Sequence, residues 1–205
     1  MNIICFACVA LAATASPGVA QPETARGITV IAVGSPSAGV VDAVKTQLSK
    51  SLWLPVHMKS VPQLVGANME QLTAAAAAMV LPGDICGICL SDDAKWPRLH
   101  VAGAKHLALL CSTAYKIGPL DPPIPGLSDE ERWMRRVKKE AVHAVCTLIG
   151  LQDCAFPRCC LLNHKNDIEL DAKSCGPCPP CSEKAYKALK GMGVRLTGPA
   201  PTIKP

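Results

Sequence analysis

The chain has 205 residues, of which 49% are hydrophobic and 18% charged, with a formal net charge of +5. That length and apolar content suffice for one full hydrophobic core and exclude a disordered chain. Aromatic residues make up only 3%, so the core is expected to be aliphatic, and a nucleic-acid surface built on stacking rings is excluded.

Residues 1–20 open with an apolar stretch from Ile3 to Ala15. Ala13-Thr14-Ala15 and Gly18-Val19-Ala20 are small-residue sequences of the kind that signal peptidase cuts. The stretch is too short to span a membrane, and no Lys or Arg precedes it. It reads as a candidate signal peptide, with export and retention as the two alternatives.

Ile28 to Val33 is an apolar run of strand length that ends at Gly34-Ser35-Pro36. Val40 to Leu52 carries apolar residues at helical spacing, and Leu54 to Met58 reads as a second strand. The Ala-rich segment Met69 to Leu81 is expected to be helical. Asp84 to Leu90, Leu99 to Ala102 and His106 to Cys111 read as further strands. Cys86 and Cys89 form a C-x2-C within this apolar region, with no matching pair nearby, and are expected to be two buried strand residues.

A Pro-rich loop, Pro119 to Pro125, precedes a long helix. Ser128 and Glu131 form a capping box at its start, and Gly150 closes it after Ile149. Val137, Ala141, Val145 and Leu148 make its buried stripe, with His143 and Thr147 pointing elsewhere. The basic run Arg132, Arg135, Arg136, Lys138 and Lys139 is expected to be a solvated face, with neither nucleic acid nor membrane as partner. Ser182 to Met192 reads as a final short helix, and residues 193–205 as a Pro-rich tail.

The segment around the end of the long helix carries chemistry. It runs His143-Ala144-Val145-Cys146-Thr147-Leu148-Ile149-Gly150-Leu151-Gln152-Asp153-Cys154. A metzincin zinc site reads H-E-x-x-H-x-x-G-x-x-H over that length. Two His four residues apart grip zinc from one helix face, and the Glu relays a proton from metal-bound water to the leaving amine. Here His143 and Gly150 match. Ala144 stands in the general-base position, and Thr147 and Asp153 stand in the other two ligand positions. Ala144 accepts no proton, a neutral Thr hydroxyl is a poor zinc ligand, and Asp153 alone offers a replacement donor.

A second register, Lys139-Glu140-Ala141-Val142-His143, keeps Glu140 and His143 but misplaces the turn Gly and the third ligand. Glu140, His143, Cys146 and Asp153 are also chemically able to form a new metal site. The plainer reading makes Glu140 a solvated helix charge and Cys146 a small buried hydrophobe.

Downstream, Cys154 and Cys159 form a C-x4-C, Glu169, Asp171 and Lys173 an E-x-D-x-K stretch, and Cys178 and Cys181 a C-x2-C. This order resembles the archaemetzincin family, specifically from His143 to Cys181 and weakly over residues 27 to 192. Where the family has a Met after the C-x4-C, this chain has Leu161. The resemblance implies an α/β (α+β) fold, a metzincin-like single domain with a mixed sheet and a long active-site helix. It also implies a C-terminal module over 154–181 in which Cys154, Cys159, Cys178 and Cys181 hold a structural Zn²⁺. Three of the four catalytic positions are replaced, whereas all four thiols remain.

The expected function is therefore a non-catalytic, archaemetzincin-like zinc protein, with peptides as candidate partners in the vestigial cleft. The alternative is an active zinc metallopeptidase with rearranged ligands, and a weaker third reading is a zinc-stabilised interaction module. The resemblance implies a cytoplasmic location, and a functional signal peptide would instead imply secretion. Cys160 and Cys175 flank the zinc ligands and are able to compete for metal or to pair oxidatively.

Overall fold

The structure, a computed structural model, describes residues 26–198. The candidate signal peptide and the last residues of the tail lie outside the described residues. Five strands form one mixed sheet in the order β2-β1-β3-β5-β4, from β1 (Ile28–Val33), β2 (Val56–Val61), β3 (Cys86–Ser91), β4 (Leu99–Ala102) and β5 (Leu107–Cys111). The first three strands and β5 are parallel, and β4 returns antiparallel at the edge.

Topology decides the layers. The β1-to-β2 crossover through α1 (Ala38–Leu52) steps one way along the sheet, and the β2-to-β3 crossover through α2 (Met69–Ala77) steps back past β1. Parallel crossovers are right-handed, so the two helices fall on opposite faces. β1, β3 and β5 are therefore covered on both sides and are buried throughout, as continuous apolar runs predict.

One core cluster joins Val30, Ile88 and Leu110 to Val44 and Leu48 of α1 and to α3 (Asp129–Leu148). The other joins Ile31, Cys89 and Leu109 to Ala76 of α2. Strand alternation places Cys86 in the first cluster and Cys89 in the second. The two thiols face opposite sides of the sheet and share neither a metal nor a disulfide. Burial pushes both up to about 12.

Several boundaries differ from the pattern-based ones. β2 begins at Val56 because Trp53 takes a left-handed conformation (φ 55°) and Pro55 has no N–H for a ladder. α2 stops at Ala77, ahead of Leu81-Pro82, where the Pro disfavours helix. α5 (Pro179–Gly191) starts three residues before Ser182, because prolines at the first helical positions suit a helix start. A short helix, α4 (Asp167–Ala172), was not anticipated; the Asn166 side chain accepts from Glu169 N at 2.9 Å and starts it.

Candidate functional site

Helix α3 carries the site. Its capping box is present: Ser128 Oγ accepts from Glu131 N, and Glu131 Oε2 accepts from Ser128 N at 3.0 Å. The basic run behind it is only partly a solvated face: Arg135 is exposed and Lys138 half-buried, but the other three residues are not. Arg132, Arg136 and Lys139 are buried, because α4 and the Pro-rich loop lie over them with matching acceptors. Arg132 and Arg136 both donate to Asp171, and Arg136 also donates to Asp121 at 2.9 Å and to Asp167 at 3.2 Å. The Arg136 hydrogen bond is the main cause holding Asp121 down at about 2. Lys139 Nζ donates to the carbonyls of Leu170 and Asp171, closing the C-terminal end of α4. Burial lowers its ammonium to about 8.

At the other end, Gly150 takes φ +90°. Gly150 N donates to Thr147 O at 3.0 Å and Leu151 N to Cys146 O at 2.9 Å, the paired bonds of a Schellman turn. The turn sends the chain back along the helix, so that Asp153 Oδ1 lies 3.8 Å from His143 Nε2. His143 and Asp153 are thus brought together. Thr147 is not, because its hydroxyl donates to His143 O at 3.0 Å, an i−4 bond back to its own helix. Ala144 is buried in the main core cluster. One imidazole and a carboxylate on a residue 61% exposed fall short of the three protein ligands of a catalytic zinc. The residues in these positions do not fit that metal.

Behind His143 lies a group that the sequence reading placed otherwise. Glu140, expected to be solvated, has a side chain only 2% exposed, and the Lys173 side chain is 0% exposed. Lys173 Nζ donates to Glu140 Oε1 at 3.1 Å and lies 3.4 Å from His164 Nδ1. Glu140 Oε1 is also 3.7 Å from His164 Nδ1 and 4.0 Å from His143 Nδ1, which is buried without a hydrogen-bond partner. Burial is the first cause lowering the pKa of both imidazoles. The Glu140, His143, Cys146 and Asp153 set does not assemble, since Cys146 is buried in the core beside Cys160. Lys173 was visible as the last residue of the E-x-D-x-K stretch, whereas nothing in local spacing marks His164.

Cys154, Cys159, Cys178 and Cys181 come together, with all four Sγ atoms within 4.8 Å of one another. None is in a disulfide. Cys154 Sγ and Cys178 Sγ are 3.8 Å apart, which matches the edge of about 3.8 Å for a tetrahedron with metal–sulfur bonds of about 2.3 Å. Burial pushes Cys159 up to about 12, and a bound cation reverses that cost by stabilising the thiolates. Four thiols at this spacing fit a soft, tetrahedral metal ion such as zinc. Cys154 N donates to Leu161 O at 3.0 Å, so Leu161 helps to close the loop, and its side chain is buried in the main core.

Three solved structures share this architecture. The archaemetzincin from Methanopyrus kandleri superposes with a TM-score of 0.62 at 17% identity, over 82% of this chain and 98% of its own. The fold is that of the archaemetzincins. A zinc-dependent peptidase from Methanocorpusculum labreanum follows with a TM-score of 0.60 at 18% identity, over 78% of this chain and 100% of its own. The archaemetzincin from Archaeoglobus fulgidus, solved with malonate, gives 0.51 at 18% identity, over 77% and 99%. No family model matches the chain, and no curated protein matches it. Among the described residues, no helix is long and apolar enough to cross a membrane.

Proposed function

We propose that this chain is a non-catalytic zinc protein on the archaemetzincin fold. Cys154, Cys159, Cys178 and Cys181 hold one structural Zn²⁺, and the surface beside His143 and Asp153 serves to bind peptides rather than to cut them. The observation that carries the reading is the pairing of an intact four-thiol cluster with a catalytic position reduced to His143 and Asp153. The zinc peptidase activity named for one structural neighbour needs a base and a third ligand. Ala144 supplies no base, and the Thr147 hydroxyl is committed to a backbone carbonyl. Loss of such a positioned base costs on the order of 10²–10⁴ in rate.

The alternative, an active peptidase with rearranged ligands, has Glu140, His143, His164 and Asp153 to draw on, and the Lys173 ammonium already projects among the first three. Elemental analysis of protein purified under reducing conditions separates the two readings. One zinc per chain, lost in Cys178→Ser, is the expected result. Two per chain, with the second lost in His143→Ala and accompanied by peptide cleavage, would overturn the proposal.

A further inference from the structure

We propose that Cys154 is an oxidation site, and that hydrogen peroxide reaching it through an adjoining cavity ejects the zinc by forming a Cys154–Cys178 disulfide. This rests on the structural-zinc reading above. A cavity of about 410 Å³ lies between the turn that ends α3 and helix α5, and Gly150, Asp153, Cys154, Cys181, Lys184 and Ala188 are among its lining residues. Of the four clustered cysteines, Cys159, Cys178 and Cys181 are buried and Cys154 alone is half-exposed. Reactivity among thiols follows exposure and cationic surroundings, and Lys184 lines the same cavity.

Cys178 is placed to resolve the oxidised residue. Its Sγ lies 3.8 Å from that of Cys154, so the sulfurs need only close to bonding distance. Cys159 and Cys181 also lie within 4.8 Å of the other clustered sulfurs, and Cys181 lines the same cavity, so the first disulfide formed is what distinguishes Cys178 from them. Cys160 is buried beside Cys146 in the core, and Cys175 is half-exposed like Cys154 but is not one of the four clustered thiols.

The chemistry balances. The Cys154 thiolate attacks one peroxide oxygen, the O–O bond breaks, and hydroxide leaves a sulfenic acid on Cys154. The Cys178 thiolate attacks that sulfur, the S–S bond forms, and the S–O bond breaks with loss of a second hydroxide. Two electrons pass from the two sulfurs to the peroxide, and two protons from solvent complete two waters. The metal loses two of its four donors. Because the metal's binding energy is folding energy in such modules, the segment from Cys154 to Cys181 loosens when zinc departs.

The test uses the full zinc-loaded chain, treated anaerobically with hydrogen peroxide in the presence of a chromogenic zinc indicator. Remaining thiols are alkylated and the disulfides mapped by mass spectrometry. Zinc release should follow consumption of one peroxide per chain, with Cys154–Cys178 as the first disulfide. Ala188→Phe, which takes up cavity volume from a position that is not one of the four thiols, should keep its zinc and slow release severalfold. A first disulfide between any other pair, oxidation of Cys175 ahead of Cys154, or an unchanged release rate in a folded Ala188→Phe chain overturns the proposal. If that variant does not fold, the wild-type disulfide map decides alone. A chain isolated without zinc overturns the structural-zinc reading instead, and the order of sulfenic-acid trapping by dimedone then still tests Cys154.

Discussion

Lys173→Met offers the sharpest test of how the region behind His143 is held. The wild-type ammonium is wholly buried and donates to Glu140 Oε1 at 3.1 Å, with His164 Nδ1 at 3.4 Å. Met keeps most of the stem volume, so the packing loss should stay below about 1.5 kcal/mol. Removing the cation leaves the Glu140 carboxylate buried and unpaired, and breaking a buried pair in this way costs about 3–5 kcal/mol. With a urea slope of roughly 2 kcal/mol/M, the midpoint should fall by about 2 M. Replacing both members, as Lys173→Met with Glu140→Leu, removes the unpaired charge and should recover most of that loss. Urea melts at saturating zinc, under reducing conditions, measure all three variants. A midpoint shift below about 0.5 M for Lys173→Met, or a double variant no more stable than either single one, would show that the pair is not what anchors α3 here.

Acidification gives a second prediction. Burial lowers His143 and His164 below the ordinary value of 6.5. Under weak acid the unfolded imidazoles therefore take up protons that the native ones refuse, and stability falls as pH drops below about 6.5. A His143→Gln/His164→Gln chain should lose less stability than wild type between about pH 7.5 and pH 5.5. Equal losses in parallel denaturant melts would sink that assignment. At the turn, Gly150 holds φ +90° with open space where a Cβ would stand. Gly150→Ala should therefore cost about 1 kcal/mol through backbone strain alone, and thermal melts should find it folded with zinc retained.

The sheet was legible because β1, β3 and β5 are doubly covered and so read as unbroken apolar runs. The helix start and stop were legible because Ser128, Glu131 and Gly150 act through their own backbone neighbours. The four thiols were legible by resemblance, through an order of cysteines. The contents of the basic run were not. A guanidinium on a helix looks the same in sequence whether it faces water or Asp121 and Asp171, and those partners lie 15 and 35 positions from Arg136. Glu140 was misread for the same reason, because its partner Lys173 is 33 positions away.

Asp153 and Cys154 leave the same turn, and that sharing couples the His143 position to the thiol cluster. Gly150 and the Schellman bonds fix where the chain re-emerges beside α3, and the next residues are Asp153 and Cys154. Any change that misdirects the turn displaces both. Replacing Ala144, Thr147 or Asp153 side chains leaves Cys154 where it is, since its position depends on backbone, on the Leu161 carbonyl and on the three other thiols. The four-thiol site is therefore insulated from side-chain changes at positions 144, 147 and 153, whereas the His143–Asp153 pair is not insulated from changes at the thiols. Moreover, Cys159, Cys178 and Cys181 lie in the same core cluster as Val145 and Leu148. Zinc loss must consequently loosen the C-terminal half of α3 together with the module, and hydrogen exchange at Val145 to Leu148 should rise on chelation. Unchanged exchange there would show that the helix end stands without the thiol site.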